Sequence, residues 1–244
     1  MDKKNIIEDG IHINEQYQKD IIEQKESIVP LEEQLKNIGF SNLQEFFELK
    51  REYLMNKYLK TNLIKAKPSQ AMINLQKLIN ENKYGIVSVD NDVTCVHVGS
   101  KENTLNQDYC QRNNIPIYEY NSYGGAIVAM EGDYSLALIV PSEVDLNSSF
   151  ILNGIKNILN KYFSNVSING NDIFINNLKV AGSTAFGNEK FFFMIFHFSM
   201  SDKGNLVSEI CGAPKTGKQV GYIDENILSV EKLKEELLLW LQGQ

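Results

Sequence analysis

The texture of the chain changes at Pro68, and that change limits the fold more than any single motif. Beyond it, short runs with period-two alternation keep recurring: YGIVSVD and VTCVHVG around Asn91-Asp92, IPIYEY, GGAIVAM and YSLALIVP around Glu131-Gly132-Asp133, the segment NDIFINNLKVAGSTAFG, and FFFMIFHFSMS. Alternating runs joined by tight polar turns read as hairpins, and the first pair is expected to be one. Helical runs lie between them, over about 69–82, 104–113 and 148–163 and again from Ser229. The clearest places Phe150, Ile151, Ile155, Ile158, Leu159 and Phe163 on one stripe. Strands and helices interleave without regular βαβ repeats. The pattern predicts an α+β domain over residues 68–244, with a mixed, largely antiparallel sheet and helices.

Residues 1–67 lack strand alternation and read as a helical extension. Tyr17, Ile21 and Ile28 share one face of a helix over about 14–28. Pro30 opens a second helix, striped by Leu31, Leu35 and Ile38 and stopped by Gly39. Ser41, with Gln44 three residues on, predicts a capped start for a third. These stripes suit packing within the chain first, and assembly neighbours second.

Bulk numbers exclude several classes. A net charge of −7 provides no basic footprint for nucleic acid or a membrane surface. No apolar run approaches the roughly 20 residues that span a bilayer, and the start MDKKNIIEDG lacks a signal-peptide core. Cys95, Cys110 and Cys211, with His12, His97 and His197, share no metal-like spacing, so no metal site is expected. A cytoplasmic setting follows, or a virion if the chain is a phage structural protein, which its Asn, Lys and Ile bias would suit.

Four segments offer chemistry. Gly212-Ala213-Pro214-Lys215-Thr216-Gly217-Lys218 fits GxxxxGK, but Gln219 stands where a phosphate-binding loop needs Ser or Thr, and QVGYIDEN is a poor helix. It is set aside as a nucleotide site. Gly124-Gly125 before the strand starting at Ala126 allows close approach of a ligand, or forms a bulge. Lys179, two residues after an Asn-Asn turn and just before Gly182-Ser183, is either a solvated strand-end cation or an ammonium aimed at a phosphate or carbonyl oxygen. Cys211 is either a nucleophile or an incidental thiol.

Taken in order, these fragments resemble the lipoate-protein ligase family, within the wider biotin/lipoate ligase and octanoyl transferase fold group. The resemblance is carried by Gly99 with Asn103, Ile115-Pro116-Ile117, Ser122-Tyr123-Gly124-Gly125-Ala126-Ile127, Asn171-Asp172-Ile173 and Lys179-Val180-Ala181-Gly182-Ser183, and spans about residues 68–244. It implies a mixed sheet, and a glycine loop (Gly124, Gly125, Ala126) over an acyl chain. It also implies that Lys179 contacts the acyl carbonyl and the phosphate of an acyl-adenylate, with Asn171 and Asp172 near the nucleotide and its metal and Gly182 and Ser183 beside the ligand. ATP with Mg²⁺ and lipoate or octanoate would be used, and the partner would be an acceptor lipoyl domain. Related ATP-independent transferases add a cysteine, here matched in place by Cys211.

The chain departs from the family where two arginines become Glu119 and Tyr120, where the first glycine of a triplet is Tyr123, and where a His-Asp pair becomes Ala129-Met130. The departures put ordinary ligation in question. Two expectations follow: a diverged member whose ligation is weakened or lost, acting as a binding or assembly module through its N-terminal helices, or an active acyltransferase using Lys179. An open apolar tunnel ending at Lys179 would favour the second.

Overall fold

The computed structural model describes residues 3–23, 28–99, 105–119, 125–212 and 219–243. The fold is α+β. A seven-stranded sheet, ordered β1-β2-β6-β10-β9-β8-β7, is accompanied by a three-stranded sheet, ordered β4-β3-β5. The strands are β1 (Leu63–Ala66), β2 (Gly85–Asp90), β3 (Cys95–Val98), β4 (Ile117–Glu119), β5 (Ala126–Ala129), β6 (Tyr134–Pro141), β7 (Val166–Asn169), β8 (Asp172–Ile175), β9 (Leu178–Gly187) and β10 (Phe191–Phe198). Only β1–β2 and β3–β4 pair in parallel among them. The helices are α1 (Lys3–Ile22), α2 (Leu31–Asn37), α3 (Leu43–Leu59), α4 (Pro68–Asn80), α5 (Gln107–Arg112), α6 (Ser148–Leu159), α7 (Leu206–Cys211) and α8 (Val230–Gln242). No described helix is long and apolar enough to cross a membrane.

Strand alternation divides the core. Leu136, Leu138 and Val140 of β6 and Met194, Phe196 and Phe198 of β10 face the layer of α3, α6 and α8. Ala137 and Ile139, with Phe193 and Ile195, face the opposite way, where α4 contributes Ala71, Leu75 and Leu78. Each such leucine, isoleucine, valine, methionine or phenylalanine contributes about 1.5–3 kcal/mol on burial. The three-stranded sheet lies over the same side as α4, beside β9 and β10, and the gap it leaves is the site.

The expected hairpin of β2 and β3 does not form. The two strands belong to different sheets: β2, buried along nearly its whole length, sits between β1 and β6, and β3 sits between β4 and β5. The chain passes between sheets at Asn91, and β5–β6 passes back at Asp133. The two crossings are tied together: Asn91 N–H and Nδ2–H donate to the Asp133 carbonyl at 3.2 and 2.9 Å, and Gly132 N–H donates to the Asn91 carbonyl at 2.9 Å. Burial on both faces of β2 decides against the local hairpin.

The N-terminal helices pack on the rest of the chain. Ile7, Leu31, Leu35, Phe40 and Phe46 form one apolar cluster, and Leu54, Met55 and Leu59 of α3 enter the main core. Gly10 is needed for the approach, because a Cβ there would lie 2.8 Å from the Phe46 ring. Three local readings shift. The first helix runs Lys3–Ile22. The third is capped by Asn42, one residue later than expected: its side chain accepts from Glu45 N–H at 2.9 Å, while Glu45 accepts from the N–H of Ser41, the residue before the cap. Leu63–Ala66, read with the helical extension, is strand β1.

Candidate functional site

Lys179 is placed by its hairpin. Asn176 and Asn177 take φ of 50° and 67°, the two left-handed residues that a two-residue turn between twisted strands demands. A register shift between Ile173 and Phe174 then sets Lys179 opposite Phe174 and Gly182 opposite Asp172. The Lys179 ammonium reaches back over the strand to Asp172 Oδ1 at 2.8 Å. It does so across Gly182, where a Cβ would lie 3.2 Å from Lys179 Nζ and 3.3 Å from Asp172 Oδ1. On the other edge, beyond the end of β10, Lys179 N–H donates to the Gln219 carbonyl and the Lys179 carbonyl accepts from Gly221 N–H, both at 2.9 Å.

This ion pair stands at the wall of a cavity of about 240 Å³ between the two sheets. One side is His97, Val98, Gly99, Gly125, Ala126 and Ile127; the other is Asp172, Lys179, Gly182, Ser183, Thr184 and Ile195. Gly99 N–H donates to the Gly125 carbonyl at 2.9 Å, which fixes the mouth on the small-sheet side. The lining is mostly apolar, with polar groups concentrated near Lys179, an arrangement suited to a chain with a polar head.

Of the residues expected at a site, Lys179, Asp172, Gly125, Ala126, Gly182 and Ser183 come together here. Asn171 is exposed and acts through its carbonyl, which accepts from Ser183 N–H and Oγ–H, each at 2.9 Å. Gly124, like Tyr120 and Tyr123, lies outside the described residues. Cys211 ends α7, half-buried against the cluster of Val96, Cys110, Val128 and Ile210, and lines neither this cavity nor the chamber beyond it. Glu119, the charge reversal, is exposed at the end of β4 and is not in the cavity wall. Of the GxxxxGK run, Gly212 is described and residues 213–218 are not; no helix follows over Gln219–Leu228.

A buried polar network lies deeper and was not foreseen. Asp133 Oδ1 accepts from Met200 N–H at 2.8 Å, and Oδ2 accepts from Met130 N–H at 2.8 Å and from the Lys203 ammonium at 2.6 Å. Lys203 also donates to the Val128 carbonyl, and its Nζ lies 3.2 Å from His197 Nε2. His197 Nε2 also lies 3.3 Å from Asp133 Oδ2, and Nδ1 lies 3.0 Å from Ser135 Oγ; the tautomer sets which of these bonds the ring donates. Burial and the Lys203 charge hold His197 down at about 4. Burial, with His197 and Lys203 nearby, holds His97 at about 3. Burial works to raise Asp133, but the hydrogen bonds and charges of His197 and Lys203 overcome it and keep the carboxyl well below its ordinary range. Burial also lowers Lys203, against the pull of Asp133. One signal in sequence could have found part of this: Ile195, His197 and Ser199 alternate through an otherwise apolar run.

Among the described residues no group of three His, Cys, Asp or Glu is arranged to hold a metal. Asp172 is the one carboxylate in the described cavity wall, and Lys179 already engages it. The residues fit an anionic phosphate or carboxylate head at Lys179, and they do not by themselves build a cation site.

The family model for the lipoyl protein ligase A/B catalytic domain matches residues 69–238, more than half of the chain. No curated protein matches in sequence. A bi-partite lipoate protein ligase from Thermoplasma acidophilum, described with its E2 lipoyl domain, has 15% identity and a TM-score of 0.63 over 75% of this chain and 82% of that one. A T. acidophilum protein with bound lipoic acid has 14% identity and a TM-score of 0.61, covering 75% and 84%. A lipoate-protein ligase A bound with ATP has 15% identity and a TM-score of 0.60, with the same coverage. At such identities the structural likeness establishes the fold alone.

Proposed function

The chain belongs to the lipoyl protein ligase A/B catalytic-domain family, and from that footing we propose that it binds an activated acyl group at Lys179 and transfers it to a lysine amine of an acceptor protein. The observation that carries the reading is the open cavity with the Lys179–Asp172 pair in its wall. A site kept only as scaffold has no need of a largely apolar cavity with a cation in its wall. The charge reversal at Glu119 does not enter the described wall. Of the N-terminal apolar residues, Ile7, Leu31, Leu35, Phe40 and Phe46 are buried within the chain, while Ile21, Ile22, Val29 and Phe47 stay exposed.

The chemistry follows from the parts. The acyl carbon of an acyl-adenylate is bonded to a phosphate oxygen. The acceptor amine attacks that carbon; the new C–N bond forms, the C–O bond breaks, and the nucleotide phosphate leaves with the electron pair while the amine loses a proton to solvent. Negative charge develops on the carbonyl and phosphate oxygens, and the Lys179 ammonium is placed to meet it. Asp172 holds that ammonium at the cavity and gives it up when an anionic head arrives. The relatives with bound lipoic acid and bound ATP, and the one described with its E2 lipoyl domain, support lipoate or a similar acid, ATP and a lipoyl domain as the set to test first.

The test is calorimetric titration with a non-hydrolysable lipoyl-adenylate analogue, beside Lys179→Ala. Micromolar binding is expected, weakened about 10- to 100-fold in the variant, the worth of a charged hydrogen bond. No binding to either protein at millimolar analogue would overturn the proposal.

A further inference from the structure

The large sheet is open at the edge remote from Lys179. β1 pairs with β2 on one side, and no strand among the described residues pairs with its other side. The Asn62 carbonyl accepts from Ile86 N–H at 2.7 Å, which sets the phase of this parallel ladder. In such a ladder alternate residues bond to the same neighbour. Asn62, Ile64 and Ala66 therefore turn their backbone groups to β2, and Leu63 and Lys65 turn N–H and C=O outward. Leu63 is 40% exposed, and Ile73 of α4, the helix that packs on β1 and β2, is 68% exposed. Strands β2, β6 and β10 separate this edge from β9, about 19 Å at the usual strand spacing. β1 also precedes residue 69, where the family match begins.

The edge carries the opposite sign from the rest of the protein. From the last turn of α3 to the start of β2, residues 57–83 hold six lysines and one carboxylate, Glu81, a net of +5 in a chain of net −7. All six lysines are exposed. Lys67 is paired with Asp92 at 2.5 Å and Lys83 with Glu81 at 2.7 Å. Lys60, Lys65 and Lys77 have no carboxylate partner among the described residues. Lys60 and Lys65 bracket Leu63 along the chain. A short strand bearing lysine resists a like edge, because a second copy would bring the same charge. An acidic strand meets no such repulsion. In strand addition the open backbone groups supply affinity, and the flanking side chains supply selection.

We infer that the open edge of β1 docks an acidic segment of a partner protein, which joins the sheet as an added strand with its carboxylates against Lys60 and Lys65. The docking is independent of the transfer proposed at Lys179 and leaves that cavity open.

The probe is a dye-labelled peptide of about ten residues that alternates glutamate with valine, on the scale of a long strand, and its binding to the full chain is followed by fluorescence anisotropy. A lysine–valine peptide of the same length is expected to bind about tenfold more weakly, and about 0.5 M salt should narrow that difference by screening the exposed charges. Lys60→Gln/Lys65→Gln should weaken the glutamate peptide about fivefold, the scale of two exposed ion pairs, and Lys179→Ala should not change it. Leu63→Pro removes one outward N–H and no bond to β2, as an edge strand tolerates. It should weaken binding about fivefold with the melting temperature kept, near the middle of the hydrogen-bond range, whereas Leu63→Val should retain binding. If Leu63→Pro fails to fold, a glutamate peptide with every amide N-methylated reads the same bonds from the other side. Equal affinities for the two peptides, or no binding of the glutamate peptide at millimolar concentration, would overturn the acidic partner. Affinity unchanged by both Leu63→Pro and N-methylation would overturn strand addition. Tighter binding of a DNA oligonucleotide of equal charge, or a dimer in sedimentation that Leu63→Pro breaks, would give the edge to another occupant and overturn the inference.

Discussion

Acid should loosen this protein well before its carboxylates titrate. His197 and His97 are buried and held at about 4 and about 3, against an ordinary value of 6.5. Both folded values lie below the unfolded one, so their contribution is complete above pH 6.5 and is lost as the pH falls toward the folded values. Between those limits the unfolded chain takes up two protons that the folded chain refuses. Each is worth 1.36 kcal/mol per pH unit, so stability falls by about 3 kcal/mol per unit. From pH 6.5 to pH 5 the loss is about 3 kcal/mol, because the unfolded histidines are only half protonated at the upper limit, and it is a large part of the 5–15 kcal/mol available to a typical domain. Asp133 acts in the same direction lower down, below its ordinary 3.8. The geometry gives the reason: His197 is fully buried, and a charged ring would stand 3.2 Å from the Lys203 ammonium, which outweighs the pull of Asp133 Oδ2 at 3.3 Å. The assay is urea unfolding, followed by the fluorescence of Trp240, which packs on Phe150, at about pH 7.5, 6 and 5. The midpoint should fall steeply, and a His97→Gln/His197→Gln variant should flatten the dependence. A midpoint unchanged across that window, or an equal slope in the double variant, would refute the reasoning.

Gly182→Ala should separate site from fold. The strand tolerates alanine, but the new Cβ would press on Lys179 Nζ and Asp172 Oδ1 at 3.2 and 3.3 Å; adenylate-analogue binding should weaken about tenfold, the scale of one displaced charged hydrogen bond, with the melting temperature little changed. Gly154→Ala should destabilise although alanine favours helix, because its Cβ would fall 2.0 Å from Trp240 Cζ2; a loss of about 1–3 kcal/mol is expected in urea, and a gain would contradict the packing.

Local chemistry explains what could be read from the sequence. Pro30 and Gly39 bound α2, the stripe of α6 finds the core, and Asn176-Asn177 makes its tight turn. Each of those elements is decided by residues a few positions apart. The β2–β3 hairpin failed because its strands take partners remote in sequence: β2 chooses β6, and β3 chooses β5. The same division holds at the site. Lys179, Gly182 and Ser183 sit on one strand and come as a motif. Asp133, His197 and Lys203 meet only through the register of β6 on β10 and the turn that follows. In sequence Asp133 and Lys203 each look like a polar turn residue, and nothing local says that both are buried.

The two backbone bonds that finish the edge of Lys179 have a consequence in time. Their partners, Gln219 and Gly221, follow Lys179 at a distance, after β10 and α7. During synthesis the chain emerges N-terminus first and folds as its pieces become available. The hairpin of β8 and β9 can form early, but its lysine edge stays open until the later segment docks. A chain halted short of Gln219 would carry every residue of the Lys179 motif and still lack the finished strand that aims it.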